Sequence, residues 1–485
     1  LRHRKPPVRH PSHDAGMTEA AALRPAAPSE ALLRRIQGPG PRYTSYPTAD
    51  RFGEDFGAAQ LEAALAARRA QAEAGTCTPL SVYVHVPFCE SLCWYCGCNK
   101  VVTRHHERAA PYLDALELEM ALVTDQLGAC RPVAQLHLGG GTPTFLSDAE
   151  LARLMGSLRR SFFLEPQAEV SIEVDPRTVD AARLRRLRAL GFNRLSLGVQ
   201  DFDPEVQRAV HREQPREQVE ALMQAARELG FASINVDLIY GLPRQTPATF
   251  DTTLAQVGAL RPDRIALYAY AHLPERFKAQ RRIHAEELPD GAQRVAMLGR
   301  AMAAFGEQGY DYIGMDHFAL PGDALAVARR EGRLHRNFQG YSTQPDCDLV
   351  GLGVSAIGRI GDSFYQNDKT LPGYIDALSH DRLPVVRGIV LAADDRVRRD
   401  VIMALMCHGR LDFAAIAASH GLDPRVAFHD ELARLRPLAA EGLVELHDDA
   451  VVVTASGWYV VRAIAMVFDR YLQRDADRAR FSRIV

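Results

Sequence analysis

The run SVYVHVPFCESLCWYCGCNK, Ser81 to Lys100, joins an alternating apolar segment to four close-set cysteines, Cys89, Cys93, Cys96 and Cys98. The alternation predicts a half-buried strand. Beyond it, the C-x3-C-x2-C spacing of Cys89, Cys93 and Cys96 suits three corners of a cubane iron–sulfur cluster and leaves a fourth iron without a thiolate. A closed zinc site draws on two separated cysteine knuckles, and this run has no second knuckle. With eight cysteines in 485 residues and no apolar signal segment, a disulfide framework is not expected. Phe88, Trp94 and Tyr95 are placed to shield a cluster from water. Cys98 is left over as a spare ligand, a reactive thiol or a small core residue, the last being the commonest fate of a lone cysteine.

The same rhythm continues along the chain. QLHL, AEVSIEV, RLSLGV, SINVDLIY and RIALYAY read as further strands, separated by helical stretches such as PYLDALELEMALVTDQL and DAELARLMGSLRRSF. Strand and helix in alternation predict βα units and a parallel sheet. ALGFNRLSL, ELGFASINV and EQGYDYIGM repeat one joint, with Gly191, Gly230 or Gly309 ending a helix and an aromatic residue opening the next strand. Six strands before about residue 272, and a seventh expected at YDYIGM, predict an open or partial barrel.

A parallel barrel gathers its chemistry where strands end. The cysteine loop follows SVYVHV; Gly139, Gly140, Gly141 and Thr142 follow QLHL; Glu173 and Asp175 close AEVSIEV; Gln200 and Asp201 follow RLSLGV; Asp237 lies in SINVDLIY. Each alone has an ordinary reading as a turn or a helix cap. Together they set an open iron beside a glycine turn able to approach a ligand closely and several carboxylates, which suits a small zwitterion that chelates iron through its amine and carboxylate. S-adenosylmethionine fits that description. His85 and His137 alternate toward the same interior, with a hydrogen-bonded core histidine as the expected role. Cys77, Cys130, Cys347 and Cys407 are scattered and expected to be inert.

Composition bounds the rest. The formal net charge of −2 gives no basic field for nucleic acid, and no apolar run of bilayer length occurs. A reducing compartment, the cytoplasm, is expected. Residues 1–37 open with LRHRKPPVRHPSHDAG, expected to be disordered, with a mitochondrial-type presequence as the alternative. GPGPRYTSYPTADRF begins an extended arm, residues 38–60, laid over another surface. A barrel over 61–375 is expected to give way to a C-terminal domain over 376–485. There RRDVIMALMCHG, DFAAIAASHG and VAFHDELARLRPLAAEGLVEL read as helices and VELHDDAVVVTASG as a hairpin, a winged-helix-like order. DFAAIAASHG lacks the basic and amide side chains of a recognition helix, and Asp448 and Asp449 sit at the wing tip, so a structural cover over the barrel mouth is expected rather than DNA binding.

The blocks PRYTSYPTA, YVHVPFCESLCWYCGCNK, LHLGGGTPT, SIEVDPR, LSLGVQDF, HREQ, NVDLIYGLPRQT, YAYAHLP, YIGMDHFA, RNFQGYSTQ and LVGLGVSAIG, in this order, resemble the radical S-adenosylmethionine superfamily and, within it, the oxygen-independent coproporphyrinogen III oxidases. The resemblance implies a partial (β/α)6-type barrel with a smaller helical C-terminal domain. It implies conversion of two propionates of coproporphyrinogen III to vinyl groups, giving protoporphyrinogen IX, by a 5′-deoxyadenosyl radical. It assigns Cys89, Cys93 and Cys96 to a [4Fe-4S] cluster. Tyr83, Gly140, Glu173 and Ile357 match positions around a cluster-bound S-adenosylmethionine; Tyr95, Gly141, Thr142, Gln200, Arg212, Asp237 and Ala271 match positions around a second molecule. His211 departs from the block beside REQ, and His317 matches without an assignable role. Arg42, Arg212 and Arg336 are candidate partners for substrate carboxylates, although any one arginine other than Arg212 is expected at the solvated surface. An electron donor such as a flavodoxin or ferredoxin system, and a monomer, are expected. A haem-binding chaperone of the same superfamily is the alternative; it lacks Cys98 and the PRYTSYPT arm.

Overall fold

The computed structural model describes residues 31–32, 40–344 and 346–474, so the expectation for the leader lies outside the described residues. Its centre is a run of parallel strands, β1 (Leu80–Val86), β2 (Pro132–Gly140), β3 (Phe163–Val174), β4 (Arg194–Gln200), β5 (Ser233–Tyr240) and β6 (Arg264–Ala269), each beside the next. Helices fall between them: α1 (Ala58–Glu73) precedes β1, α2 (Ala109–Leu127) follows it, and α3 (Asp148–Ser161), α4 (Ala181–Ala189), α5 (Arg216–Glu228) and α6 (Pro247–Leu260) return the chain after β2 to β5. This is the expected α/β partial barrel.

The pleat sorts the side chains. Val82 pairs with Leu136, Leu136 with Val170, Ile172 with Leu195, and Leu197 with Val236, and these residues belong to one buried core with the helices. Their neighbours one position along point to the other face: His137 opposite Ser171, Glu173 opposite Ser196, and Ser196 opposite Asn235. The barrel interior is therefore polar because the strand period is two.

The repeated joints form as read. Gly191, Gly230 and Gly309 all have positive φ, and the amides of Phe192, Phe231 and Tyr310 reach back to Leu187, Ala226 and Phe305. That backbone return ends the helix, and only glycine adopts it without strain. The buried aromatic ring then fixes where the next strand enters.

The sheet extends beyond the six strands without closing. After α7 (Gly291–Glu307) come β7 (Asp311–Gly314) and β8 (His317–Ala319), an antiparallel pair in which β8 joins β6 and β7 is the edge. The segment YDYIGM thus forms the expected seventh strand, running in the direction of the six but separated from β6 by the antiparallel β8 inserted between them. Gly314, Met315 and Asp316 all have positive φ, and the tight return they make sends the chain straight back along its neighbour. The strand parallel to the other side of β1 is β9 (Asp348–Leu352), followed by antiparallel β10 (Ile357–Ile360), β11 (Ser363–Asn367) and β12 (Val385–Val390). β12 lies past residue 376 yet belongs to the main sheet.

Cys77 and Cys130 form a disulfide, contrary to the expectation that no disulfide is present and that both residues are inert. Each immediately precedes one of two adjacent strands, β1 or β2, so the parallel pairing brings them together at the opposite end of the barrel from the cysteine loop.

The C-terminal unit has the expected order of α8 (Ala393–His408), α9 (Phe413–His420) and α10 (His429–Ala440), with a three-stranded sheet made by Arg410–Asp412, Ala450–Val453 and Val444–Leu446. Asp448 and Asp449 are exposed at its tip. The arm binds this unit: the Tyr43 hydroxyl donates to Asp469 at 2.9 Å, Tyr46 packs on Tyr471, and Gly53 bridges to Gly388 on β12. The Tyr341 hydroxyl donates to the Met406 carbonyl, and the Trp458 ring N–H to Ile313, so both sides of the barrel edge are tied down.

Buried Glu119 on α2 accepts from the Tyr374 hydroxyl and the Asn367 amide, each at 2.6 Å, and from the Gly353 N–H at 2.7 Å. Burial pushes its carboxyl up to about 7 against the pull of these donors. Between its ordinary value of 4.5 and 7, the unfolded chain releases a proton that the folded protein keeps. This group's contribution to stability is therefore full below that window and shrinks as pH rises, by roughly 3 kcal/mol across it. Glu119→Gln should lower the melting temperature at pH 5 and flatten its decline between pH 5 and 7, as circular dichroism melts at stepped pH would show.

Candidate active site

The cysteine loop leaves β1 and is held by backbone bonds. Phe88–Cys89 pairs in parallel with Val101–Val102, the Cys96 amide donates to Cys93, and the Trp94 amide reaches across to Val210. The glycine turn after β2 docks against it. The Gly141 amide donates to the Val86 carbonyl and the Thr142 amide to Phe88, each at 2.8 Å. A Cβ on Gly141 would stand 2.6 Å from the Pro87 carbonyl oxygen and 2.8 Å from that of Phe88. The turn was expected to admit a ligand to its backbone; what Gly141 first admits is the cysteine loop itself.

Cys89, Cys93, Cys96 and Cys98 then line one cavity of about 320 Å³ together with Tyr95, Gly140, Gly141, Thr142, Glu173, Gln200, Arg212 and Asp237. Among the expected contacts, Tyr83, Ala271 and Ile357 do not line it. Tyr83 stacks on His137 one layer deeper, Ala271 follows the end of β6, and Ile357 on β10 packs with Phe52 and Phe364.

Charge around the sulfurs is balanced by cations. Arg212 Nη1 lies 3.4 Å from Cys93 Sγ and 3.2 Å from Asp175 Oδ2; Arg177 Nη2 lies 3.6 Å from the same sulfur and 2.7 Å from the same carboxylate. Burial opposes ionisation of Asp175, but the two guanidinium groups outweigh it and hold the carboxyl below its ordinary range. Thr142 Oγ1 points at Cys89 Sγ at 3.5 Å. Donors aimed at sulfur and a sheltered, cationic wall are what thiolates bound to an iron–sulfur cluster require, so the residues fit that group. Among the described residues no three His, Cys, Asp or Glu side chains close on a single ion, which three corners of a cubane do not need.

Two carboxylates behave differently. Glu173 accepts from the Gly140 N–H at 3.1 Å and stands 3.4 Å from His137 Nε2; burial pushes its carboxyl up, yet these partners bring it below the ordinary value. Asp237 receives the Ser196 hydroxyl and the Asn235 amide, and burial followed by repulsion from Glu173 raises its carboxyl to about 6. Asp201 turns instead into the protein, where it accepts from Thr253 and the Asp203 amide. Gln200 sits at a register shift at the end of β4 with φ of 68°, a bulge that aims it at the cavity.

Both interior histidines are hydrogen-bonded, as expected: His85 Nε2 lies 2.9 Å from the Asn99 carbonyl, and His137 Nδ1 lies 2.6 Å from Ser171 Oγ. Two supporting residues went unread. His211, noted only as a departure, holds the Leu92 carbonyl within 2.9 Å of Nδ1 and stacks on Trp94. Arg177 was visible in SIEVDPR, but its approach to Cys93 depends on a turn that brings two strand ends together. Arg336, expected at the surface, is only 6 % exposed.

A model of the radical SAM superfamily matches residues 83–257, and one of the HemN C-terminal domain matches residues 391–460. Fold and thiol site together define a radical S-adenosylmethionine protein, a class that uses a [4Fe-4S] cluster and S-adenosylmethionine. The oxygen-independent coproporphyrinogen III oxidase of Salmonella typhimurium is 50% identical over 455 residues, 94% of this chain and 98% of the relative. That of Pseudomonas aeruginosa is 50% identical over 457 residues, with the same shares. The solved structure of coproporphyrinogen III oxidase from Escherichia coli matches with a TM-score of 0.86 at 50% identity, covering 92% of this chain and 99% of that one. The chain belongs to the oxygen-independent coproporphyrinogen III oxidase family. These matches support the oxidase reading and not the chaperone alternative.

Gly141→Ala should force the glycine turn off the cysteine loop at a cost of about 1–3 kcal/mol. Iron bound per chain after anaerobic reconstitution is expected to fall, whereas Gly156→Ala on α3, where the nearest atom to an added Cβ is a flexible arginine terminus at 3.4 Å, should leave it unchanged.

Proposed function

We propose that this chain oxidatively decarboxylates two propionate side chains of coproporphyrinogen III to vinyl groups, giving protoporphyrinogen IX without oxygen. The observation that carries the reading is the single cavity in which three thiols face Glu173, Asp237, Gln200 and Arg212, in a chain half identical to the oxidases over nearly its whole length. Cys89, Cys93 and Cys96 would hold the cluster. Such a cluster, with S-adenosylmethionine bound, would supply one-electron reductive chemistry.

The protein's own groups position and shield. Glu173, ionised and anchored by Gly140 and His137, is suited to accept from the ammonium of a cluster-bound S-adenosylmethionine. Asp237, with Ser196 and Asn235 fixing its oxygens, can accept from ribose hydroxyls. Gln200, Arg212, Tyr95, Gly141 and Thr142 form the wall for a second S-adenosylmethionine. Arg177 and Arg212 stabilise negative charge at Cys93. At the substrate, removal of a hydrogen from the propionate carbon next to the pyrrole, then loss of carbon dioxide and one electron, yields each vinyl group. That electron requires an acceptor, and the cluster a donor of the flavodoxin or ferredoxin type.

The arm and the helical unit after about Leu391 act as a cover over the barrel mouth, supported by the Tyr43–Asp469 and Trp458–Ile313 bonds. The proposal extends to a monomeric, cytoplasmic protein without a nucleic-acid partner, the last supported by the formal net charge of −2. Among the described residues no helix is long and apolar enough to cross a membrane.

Anaerobic turnover of the reconstituted protein should give protoporphyrinogen IX and 5′-deoxyadenosine; neither product with coproporphyrinogen III would sink the assignment. Alanine at Cys89, Cys93 or Cys96 should abolish cluster absorption and turnover. Cys98→Ser should keep the iron and its spectrum, which separates a cavity-wall thiol from a ligand.

A further inference from the structure

Deeper in the barrel, past the layer of Glu173, Ser196, Asp237 and Tyr268, lies a second cavity of about 160 Å³ that shares those four residues with the first. Two further arginines stand against the tyrosines of its wall. The Arg42 guanidinium lies 5.3 Å from the Tyr268 ring centre and that of Arg336 lies 4.6 Å from the Tyr341 ring centre; both tyrosines line the cavity, with His317 and Gln339. Arg336 Nε donates to the Arg42 carbonyl at 3.2 Å, which ties the arm to the hairpin that carries Arg336.

Several remaining polar atoms are not satisfied. Arg42 Nη2, Arg336 Nη1 and both amide atoms of Gln339 are buried without a hydrogen-bond partner among the described residues. Burying a guanidinium with an unmet N–H is costly unless a ligand completes it. Glu169, Glu173 and Asp237 also line the cavity, as do Arg194, which pairs with Glu169, and Arg264, which pairs with Asp323; Arg42, Arg462 and Arg336 draw on Asp316, whose carboxyl burial nonetheless keeps above its ordinary value. His317 is neutral, depressed to about 3 by burial and by repulsion from Arg336 and Arg42. Arg42 and Arg336 therefore offer unmet N–H groups on planar guanidinium groups stacked against the tyrosines of the cavity wall, the arrangement that recognises a carboxylate.

We propose that Arg42 and Arg336 together bind one propionate carboxylate of the tetrapyrrole, with Gln339 as an auxiliary donor. The inference rests on the function proposed above. Its consequence is orientation: a propionate held at this depth sets which pyrrole edge faces the thiol cavity. The other available source of a carboxylate, the methionine part of S-adenosylmethionine, is distinguished by the test.

Coproporphyrin III, which carries the same four propionates, and its tetramethyl ester serve as probes of the reconstituted holoenzyme, with binding followed by porphyrin fluorescence. The wild type should bind the acid about tenfold or more tightly than the ester. Arg42→Gln and Arg336→Gln should each weaken the acid by about tenfold or more, leave the ester unchanged, and leave the KM for S-adenosylmethionine within about twofold. Arg42→Lys and Arg336→Lys should fall between and keep the test valid if a glutamine variant loses its fold or iron. Equal acid and ester binding by the wild type, unchanged acid affinity in the variants, or a raised KM for S-adenosylmethionine instead would overturn the proposal. A wild type that prefers the acid but forms no vinyl product would overturn the function and leave the carboxylate site standing.

Discussion

A single pleated sheet has to hide hydrocarbon on one face and keep carboxylates and imidazoles on the other, and everything else in this protein follows from that division. Because the side-chain period is two, Val82, Leu136, Ile172 and Leu197 can be fully buried against helices while His137, Glu173, Ser196 and Asp237 share the interior. A slip of one residue at any strand would exchange the two sets. The interior polar layers are therefore secured by the apolar core behind them, and the site's geometry has the stability of that core.

Much of this was legible in one dimension. Alternation in SVYVHV and SINVDLIY, and the repeated Gly-aromatic joints, report local rules, and the strands and turns formed where those rules placed them. YDYIGM also formed its strand; what its pattern could not show is β8, which consecutive positive-φ residues turn back into the place between it and β6. The disulfide escaped notice because Cys77 and Cys130 are far apart in sequence and adjacent only once two parallel strands pair. Arg336 was misplaced for a related reason. Arginine is an exposed residue by habit, and only the three-dimensional contact with Tyr341 and the arm buries it.

Within the site, the cysteines of the loop were the easiest residues to read and the groups around them the hardest. Cysteine spacing is a property of one loop, whereas the cationic wall at Cys93 is assembled from the turn after β3 and the loop before α5, and the loop's own hold depends on His211. Asp175 joins both arginines, so neither guanidinium is free to swing away from the sulfur without abandoning a buried carboxylate. The same logic explains why Glu173 and Asp237, two buried acids on neighbouring strands, separate in their tendency to ionise: one sits among imidazoles and an amide, the other among neutral amide and hydroxyl groups.

The bond between Tyr43 and Asp469 joins positions 426 apart in the chain. During synthesis the cysteine loop leaves the ribosome long before Asp469 exists, so the arm lacks this partner while the thiols are already present. Once the last helices dock on the arm, a buried bond joins the two ends of the chain, and neither end can leave its place without the other.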